Sequence, residues 1–124
     1  MKKVLIVEDE KPVARAMQLK LQFSGFDVKN AFDGEEALDI LKDESFDIIL
    51  LDLILPKKDG FAVLAELKER NNKTPIIIIS NLGQDEDIKK VKELCGECDY
   101  FIKSNTPISE IVEYVKKNLG ITTN

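Results

Sequence analysis

Short apolar runs alternate with amphipathic segments along this chain, and each clear run stops at a polar residue. The runs and their ends are 4–7 before Glu8 and Asp9, 48–51 before Asp52, 76–79 before Ser80, and 100–102 before Lys103. Runs of this length that are rich in β-branched residues are typical of buried strands in a parallel sheet. Because the carboxyl ends of parallel strands share one edge, these side chains should meet where open α/β sheets bind ligands.

The segments between the runs predict helices, so that strand and helix alternate five times. The start and stop signals are Pro12 and Gly25 for the first helix, Asp33 with Glu36 for the second (through Lys42), Asp59-Gly60 for the third (to about Asn71), Gly83 for the fourth (to Leu94), and Thr106-Pro107 for the fifth. The second strand, 26–32, is the most polar and is predicted at a sheet edge. The pattern predicts a (βα)₅ fold, a doubly wound, five-stranded parallel sheet with helices on both faces.

Composition narrows the classes of function that this fold can serve. A chain of 124 residues is one domain, and its net charge of −5 argues against direct binding to nucleic acid. No apolar stretch is long enough to span a membrane, and there is no signal-peptide pattern, so we expect a cytoplasmic protein. The absence of histidine excludes a phosphohistidine, a Ser-His-Asp triad and imidazole metal ligands within this chain.

The strand-end residues suit phosphoryl chemistry with a hard metal ion. Glu8, Asp9 and Asp52 offer only oxygen ligands, which favour Mg²⁺ or Mn²⁺ over zinc. Clustered carboxylates repel one another unless a cation or the Lys103 ammonium offsets them. A carboxylate can attack phosphorus to form an aspartyl phosphate, while Lys103 supplies a point charge and the Ser80 hydroxyl donates to a phosphoryl oxygen.

Taken in order, these motifs identify a family. The chain resembles the receiver domain of bacterial two-component response regulators, notably the stand-alone, chemotaxis-regulator-like members. The resemblance rests on Glu8-Asp9, on the segment 52–60 around the candidate acceptor, on Ser80, on the segment 96–100, and on Lys103. It covers Lys2 to about Gly120, so we expect a receiver domain over 1–120 and a C-terminal tail over 121–124. The sequence leaves open whether the chain is a stand-alone regulator or a receiver cut from a longer one.

The resemblance implies a mechanism as well as a fold. It implies a flavodoxin-like strand order, 2-1-3-4-5, which is a common order in doubly wound sheets and the order of a known receiver. It implies that a sensor histidine kinase phosphorylates Asp52, in a switch that catalyses only its own phosphorylation and dephosphorylation. The implied site comprises Mg²⁺ held by Asp9, Asp52 and the Ile54 carbonyl, with Glu8 acting through a water, and Ser80 and Tyr100 as switch residues. The surface of the fourth helix, fifth strand and fifth helix would then control a downstream protein or a second copy of the chain.

The sequence departs from the family pattern at a few positions. Ser104 follows Lys103 where most relatives have a proline in a cis bond, so either that bond is cis or the loop differs. Asn81 stands where a small residue usually leaves the phosphate site open. Cys95 and Cys98 form a C-x-x-C motif, but it follows a helix end instead of preceding a helix start, and two more zinc ligands are lacking. We expect no function for this pair.

Three other functions share part of this pattern. An aspartyl phosphohydrolase needs a second aspartate two residues after its nucleophile, and Ile54 stands there. An FMN carrier needs a phosphate-binding loop after the first strand, where the acidic run 8–10 would repel the phosphate. A structural module in which Asp52 and Lys103 form an ordinary ion pair stays open, and it would not respond to a phosphodonor with Mg²⁺.

Overall fold

The computed structural model describes residues 1–96 and 98–120, and it confirms the alternation of five strands with five helices. The elements are β1 (Lys3–Val7), α1 (Lys11–Phe23), β2 (Asp27–Ala31), α2 (Gly34–Asp43), β3 (Ile48–Leu51), α3 (Gly60–Glu69), β4 (Ile76–Ser80), α4 (Asp85–Cys95), β5 (Asp99–Ile102) and α5 (Ile108–Asn118). A short 3₁₀ turn, Lys103–Asn105, follows β5. Within the described part of the chain, no helix combines the length and apolar character needed to cross a membrane.

All strand pairings are parallel, and the order is β2-β1-β3-β4-β5, as predicted for a flavodoxin-like sheet. The polar strand β2 lies at an edge, which confirms its predicted place. The register pairs Val7 with Leu51, and Leu51 with Ile78. The residues that follow β1 and β3 therefore emerge side by side at the carboxyl edge of the sheet.

Helices cover both faces of the sheet and give it two hydrophobic cores. Successive strand side chains point to opposite faces, so Leu5 and Val7 enter one core while Val4 and Ile6 enter the other. The first core lies under α2, α3 and α4, and the second lies under α1 and α5. Burial on both faces explains why β1, β3 and β4 are continuous apolar runs instead of alternating ones.

The predicted capping pair at the start of α2 is present. The Asp33 carboxylate accepts a hydrogen bond from the Glu36 backbone N–H at 2.8 Å. The Glu36 carboxylate accepts in return from the N–H of Phe32 at 2.6 Å, one residue earlier than in the usual box. Asp59 caps α3 by accepting from the Ala62 N–H at 2.9 Å, which fixes the start of that helix just after the loop that follows β3.

Two helices start at other residues than the sequence predicted, and the structure settles the open question of the bond after Lys103. Helix α4 begins at Asp85 and not at Gly83, because Gln84 is its N-cap and donates its backbone N–H to Asp87 at 3.2 Å. Helix α5 starts after Pro107; the Thr106 hydroxyl donates to the Ile102 carbonyl at 2.8 Å and does not cap the helix. The bond between Lys103 and Ser104 is trans, so the loop after β5 differs from the usual family form.

Candidate functional site

The candidate site lies at the carboxyl edge of the sheet, where the ends of β1, β3 and β4 bring three polar residues inside. Glu8, Asp52 and Ser80 are all buried. The backbone N–H of Asp52 donates to the Val7 carbonyl at 3.1 Å, so the residue continues the ladder between β3 and β1. The backbones of Glu8 and Asp52 are therefore both positioned by the hydrogen bonds of the sheet.

Lys103 joins these carboxylates from the end of β5. Its Nζ lies 2.7 Å from the Glu8 Oε1 atom and 3.0 Å from the Asp52 Oδ2 atom. A third carboxylate, Glu10, lies 2.6 Å from the same Nζ. The expected pairing of Lys103 with the acidic cluster is present, and Glu10 is a member that the sequence analysis did not select. The acidic run 8–10 was its only signal.

Burial and hydrogen bonding have opposite effects on the pKa values of Glu8 and Lys103. Burial raises the pKa of Glu8 above its ordinary value of 4.5, and the hydrogen bonds from Lys103 and from the Glu10 N–H offset part of the rise. Burial alone would lower the pKa of Lys103, but its bonds to Glu10, Glu8 and Asp52 together outweigh that effect and raise it. The ammonium is therefore firmly charged and provides the positive charge that the carboxylates need.

The donor set fits a hard divalent cation. Carboxylate oxygens of Glu8, Glu10 and Asp52 lie within 4.8 Å of one another, and they are the ligand type that Mg²⁺ and Mn²⁺ prefer. Asp9 is exposed and is not one of these grouped carboxylates, and Ile54 is exposed in the loop after β3. Asp9 and the Ile54 carbonyl stay predicted ligands, and the clustered Glu10 is an additional candidate.

The β4–α4 loop is tied to both Ser80 and Tyr100, the two predicted switch residues. The Ser80 Oγ atom accepts a hydrogen bond from the Leu82 N–H at 3.3 Å, and the half-buried Tyr100 hydroxyl donates to the Leu82 carbonyl. Burial raises the pKa of Tyr100, and the Asp87 and Asp52 carboxylates add to the rise. Ser80 and Tyr100 are therefore both hydrogen-bonded to the same residue of this loop, Leu82.

The two departures from the family pattern near Lys103 compensate for each other. Proline lacks a backbone N–H, but Ser104 has one, and it donates to the Asn81 side-chain oxygen at 2.8 Å. This bond links the loop after β4 to the turn after β5. Asn81 thus helps to hold the segment that carries Lys103.

Comparisons with known proteins agree with this geometry. The family described as the response regulator receiver domain matches residues 4–116. The receiver domain of Francisella response regulator 1452 is 35% identical, with a TM-score of 0.84 over 94% of this chain and 95% of that chain. The phosphorylated cyanobacterial phytochrome response regulator RcpA is 36% identical, with a TM-score of 0.79 over 94% and 90%. TrrA from Thermotoga maritima, in complex with Mg²⁺-BeF, is 27% identical, with a TM-score of 0.80 over 94% and 98%.

The family match extends over most of the chain, from the first strand into the fifth helix. Two of the relatives exceed 30% identity over 94% of the chain. The observed strand order is the one that the resemblance implied. The chain therefore belongs to the receiver domain family of two-component response regulators, signalling domains that are phosphorylated on an aspartate.

Proposed function

We propose that this receiver is a phosphoacceptor switch in which Asp52 takes the phosphoryl group from the phosphohistidine of a sensor kinase. One observation carries the assignment. Asp52 is a buried carboxylate at the end of the central strand β3, with the Lys103 ammonium 3.0 Å from one oxygen and the Ile54 N–H 3.1 Å from the other. These contacts orient the nucleophile while leaving the carboxylate at the edge where ligands bind such sheets.

In the proposed transfer, an Asp52 oxygen attacks the phosphorus atom as the phosphorus–nitrogen bond of the donor breaks. Such transfer depends mainly on positioning and charge. The Lys103 ammonium remains close to the acceptor and attracts a phosphoryl oxygen. The Ser80 hydroxyl, which now accepts from Leu82, can turn to donate to another phosphoryl oxygen. The domain catalyses this transfer and the later hydrolysis of its own aspartyl phosphate, which releases inorganic phosphate, and it acts on no other substrate.

We further propose Mg²⁺ or Mn²⁺ as the cofactor, held by Glu8, Asp9, Asp52 and the Ile54 carbonyl. When bound, a divalent ion offsets negative charge on the phosphoryl oxygens. The oxygen-only cluster supports this choice, as does the Mg²⁺-BeF complex of the related TrrA. The proximity of Glu10 makes it the alternative to Asp9 as a ligand.

A metal titration of two variants separates these ligands. Asp9→Asn should weaken Mg²⁺ binding, because it removes a charged oxygen from a site with few protein ligands. Glu10→Gln is the matched comparison, since it changes the neighbouring carboxylate in the same way. Unchanged Mg²⁺ binding by Asp9→Asn, together with loss in Glu10→Gln, would assign the role to Glu10 instead.

We propose that the output surface is formed by α4, β5 and α5. Movement of Ser80 toward a phosphoryl oxygen would break its bond to Leu82, and the Leu82 carbonyl is the acceptor for Tyr100. Helix α4 follows that loop and has a single fully buried residue, Val91, so little packing resists its displacement. The shifted surface would dock a downstream protein or a second copy of the chain. The net charge of −5 disfavours direct binding to nucleic acid.

Intact mass after incubation with acetyl phosphate and Mg²⁺ tests the acceptor. The parent protein should gain one phosphoryl group, and Asp52→Asn should gain none. Asp27→Asn is a suitable control, because Asp27 is an exposed aspartate on the edge strand β2 and should leave labelling intact. Full labelling of Asp52→Asn would overturn the assignment. A folded parent that gains no mass would favour the structural-module alternative.

A further inference from the structure

A second candidate site lies at the opposite edge of the sheet, where α4 ends and β5 begins. Cys95 is the last residue of α4, and Cys98 directly precedes β5. The structure joins the two by a disulfide bond, which the position of the motif did not predict. They are the only cysteines of the chain, so any intramolecular pairing must be this one.

Backbone geometry brings the two cysteines together without help from distant parts of the fold. Their Cα atoms are 5.7 Å apart, within the range that a disulfide requires. Gly96, which follows Cys95, has a backbone φ of +69°, a conformation that residues other than glycine rarely adopt. Cys95 and Cys98 lie beside each other where α4 ends and β5 begins.

Small reactants can reach the pair. Both cysteines are half-buried, and both line a cavity of about 510 Å³ between the ends of α3 and α4. Two lysines, Lys68 and Lys73, line the same cavity, and Lys68 donates to the Glu93 carbonyl in the last turn of α4 at 3.1 Å. The cavity lies at the edge of the sheet where β4 and β5 begin, opposite the edge that carries Asp52. A small reactant can therefore reach the thiols without entering the site around Asp52.

We propose that Cys95 and Cys98 are a redox modification site whose reactants are low-molecular-weight disulfides and thiols of the glutathione class. In the oxidation, one cysteine sulfur attacks the small disulfide and releases the first small thiol. The second cysteine sulfur then attacks the mixed disulfide and releases the second. One sulfur–sulfur bond forms as another breaks, and the two protons and two electrons of the cysteines pass to the two released thiols.

The position of the pair at a helix end indicates which form prevails. Cys95 lies at the carbonyl end of α4, where the helix dipole disfavours a negative charge. A helix N-terminus stabilises the reduced thiolate form of such a pair and makes the pair more oxidising, and that stabilisation is lacking here. We therefore expect the closed disulfide to be the favoured form in balanced mixtures of small disulfide and thiol.

The bond also lies within the proposed output surface, and its regulatory effect rests on the proposed function above. Cys95 and Cys98 pack with Tyr100 and Leu94 against the core under α4. A covalent link between the end of α4 and the start of β5 restrains the helix whose only fully buried residue is Val91. Oxidation should therefore reduce the displacement of α4 when the acceptor is occupied, and reduction should release it.

The thiol chemistry is tested without any phosphodonor. The parent protein is incubated with a mixture of oxidised and reduced glutathione, quenched by thiol alkylation and measured by intact mass. We expect loss of two hydrogens and no alkylated cysteine, whereas Cys95→Ser and Cys98→Ser should each carry a glutathione adduct or an alkyl group. Accumulation of glutathione adducts or disulfide-linked dimers by the parent, or retention of both free thiols under excess oxidised glutathione, would overturn the site.

The regulatory effect is tested by amide chemical shifts with Mg²⁺ and beryllofluoride in oxidised and reduced protein. Amides around Asp52 should respond in both forms, and those of residues 85–91, away from the cysteines, should respond less in the oxidised form. Equal responses of residues 85–91 would refute the regulatory effect but not the thiol chemistry. No response around Asp52 in either form would refute the proposed function, and the mass experiment would still decide the redox site.

Discussion

Replacement of Lys103 by methionine should destabilise the protein strongly at neutral pH and less strongly in acid. The substitution keeps the length of the side chain but removes the ammonium that lies 2.7 Å from Glu8 and 3.0 Å from Asp52. Both carboxylates are buried, so neither can recover its hydration by a small movement. Breaking a buried charge pair by removing one partner costs about 3–5 kcal/mol. For a chain of this size, that corresponds to a fall in Tm of roughly 10–20 °C.

The dependence on pH follows from Glu8. Burial already raises the pKa of Glu8, and loss of the Lys103 hydrogen bond, which lowers it, will raise it further. A carboxyl group with a pKa higher in the folded than in the unfolded state makes the folded state bind more protons. Its favourable contribution is therefore complete at low pH and is lost as pH rises through the raised pKa. Each unit of pKa difference corresponds to about 1.4 kcal/mol, so the penalty for Lys103→Met should shrink by that order toward pH ~5.

Urea unfolding followed by far-UV circular dichroism, in metal-free buffer between about pH 5 and about pH 8, measures the effect. Lys73→Met is the matched control, because Lys73 is an exposed lysine for which no charge partner is found among the described residues. Adding Glu8→Gln to Lys103→Met should recover part of the free energy of unfolding and flatten its pH dependence. A Lys103→Met variant as stable as the Lys73 control at pH ~8, or equally destabilised at both ends of the range, would refute this reasoning.

Four other substitutions test the loops around the proposed acceptor, Asp52. Ile54, 52% exposed beside Asp52, offers no group to orient water, so Ile54→Asn should speed loss of the phosphoryl group about tenfold, measured by the decay of intact mass; equal decay would contradict this steric account. Asn81→Ala removes the 2.8 Å bond from the Ser104 N–H and should lower the free energy of unfolding in urea by about 1 kcal/mol. Ser104→Pro removes the same N–H, so combining it with Asn81→Ala should cause no further loss of this bond's contribution. Gly34→Ala would place a Cβ atom 2.0 Å from the Lys58 carbonyl oxygen, so we expect a loss of about 1–3 kcal/mol in thermal unfolding, and an unchanged Tm would show that the loop moves freely.

The sequence was sufficient to predict the elements that depend on hydrophobic periodicity. Runs of apolar residues predicted β1, β3 and β4, and the shared direction of parallel strands then predicted the contact between Asp52 and Lys103 and the place of Ser80 at the same edge. The edge position of β2 followed from its polar residues. These features depend on burial, which a linear pattern records directly.

The contacts described next, which the sequence did not predict, lie in the loops between strands and helices. The contact of Glu10 with Lys103 depends on the course of the loop after β1, and the later start of α4 depends on the bond between Gln84 and Asp87. Neither is encoded in a hydrophobic period. The pairing of Asn81 with Ser104 is similar, since each residue alone was an unexplained departure and only their proximity accounts for both.

The ion pairs of Lys103 have a consequence for the order in which the domain is made. Lys103 reaches back 93 residues to Glu10 and 51 residues to Asp52, so the N-terminal strands leave the ribosome long before the ammonium they require. Until β5 is added, enclosing Glu8 and Asp52 would bury uncompensated charge at a cost of several kcal/mol. Nascent or prematurely terminated chains should therefore keep the carboxylates in water and the sheet edge open. Asp52, the proposed acceptor, becomes enclosed only with the last strand, so its capacity to take a phosphoryl group should arise only when folding is complete.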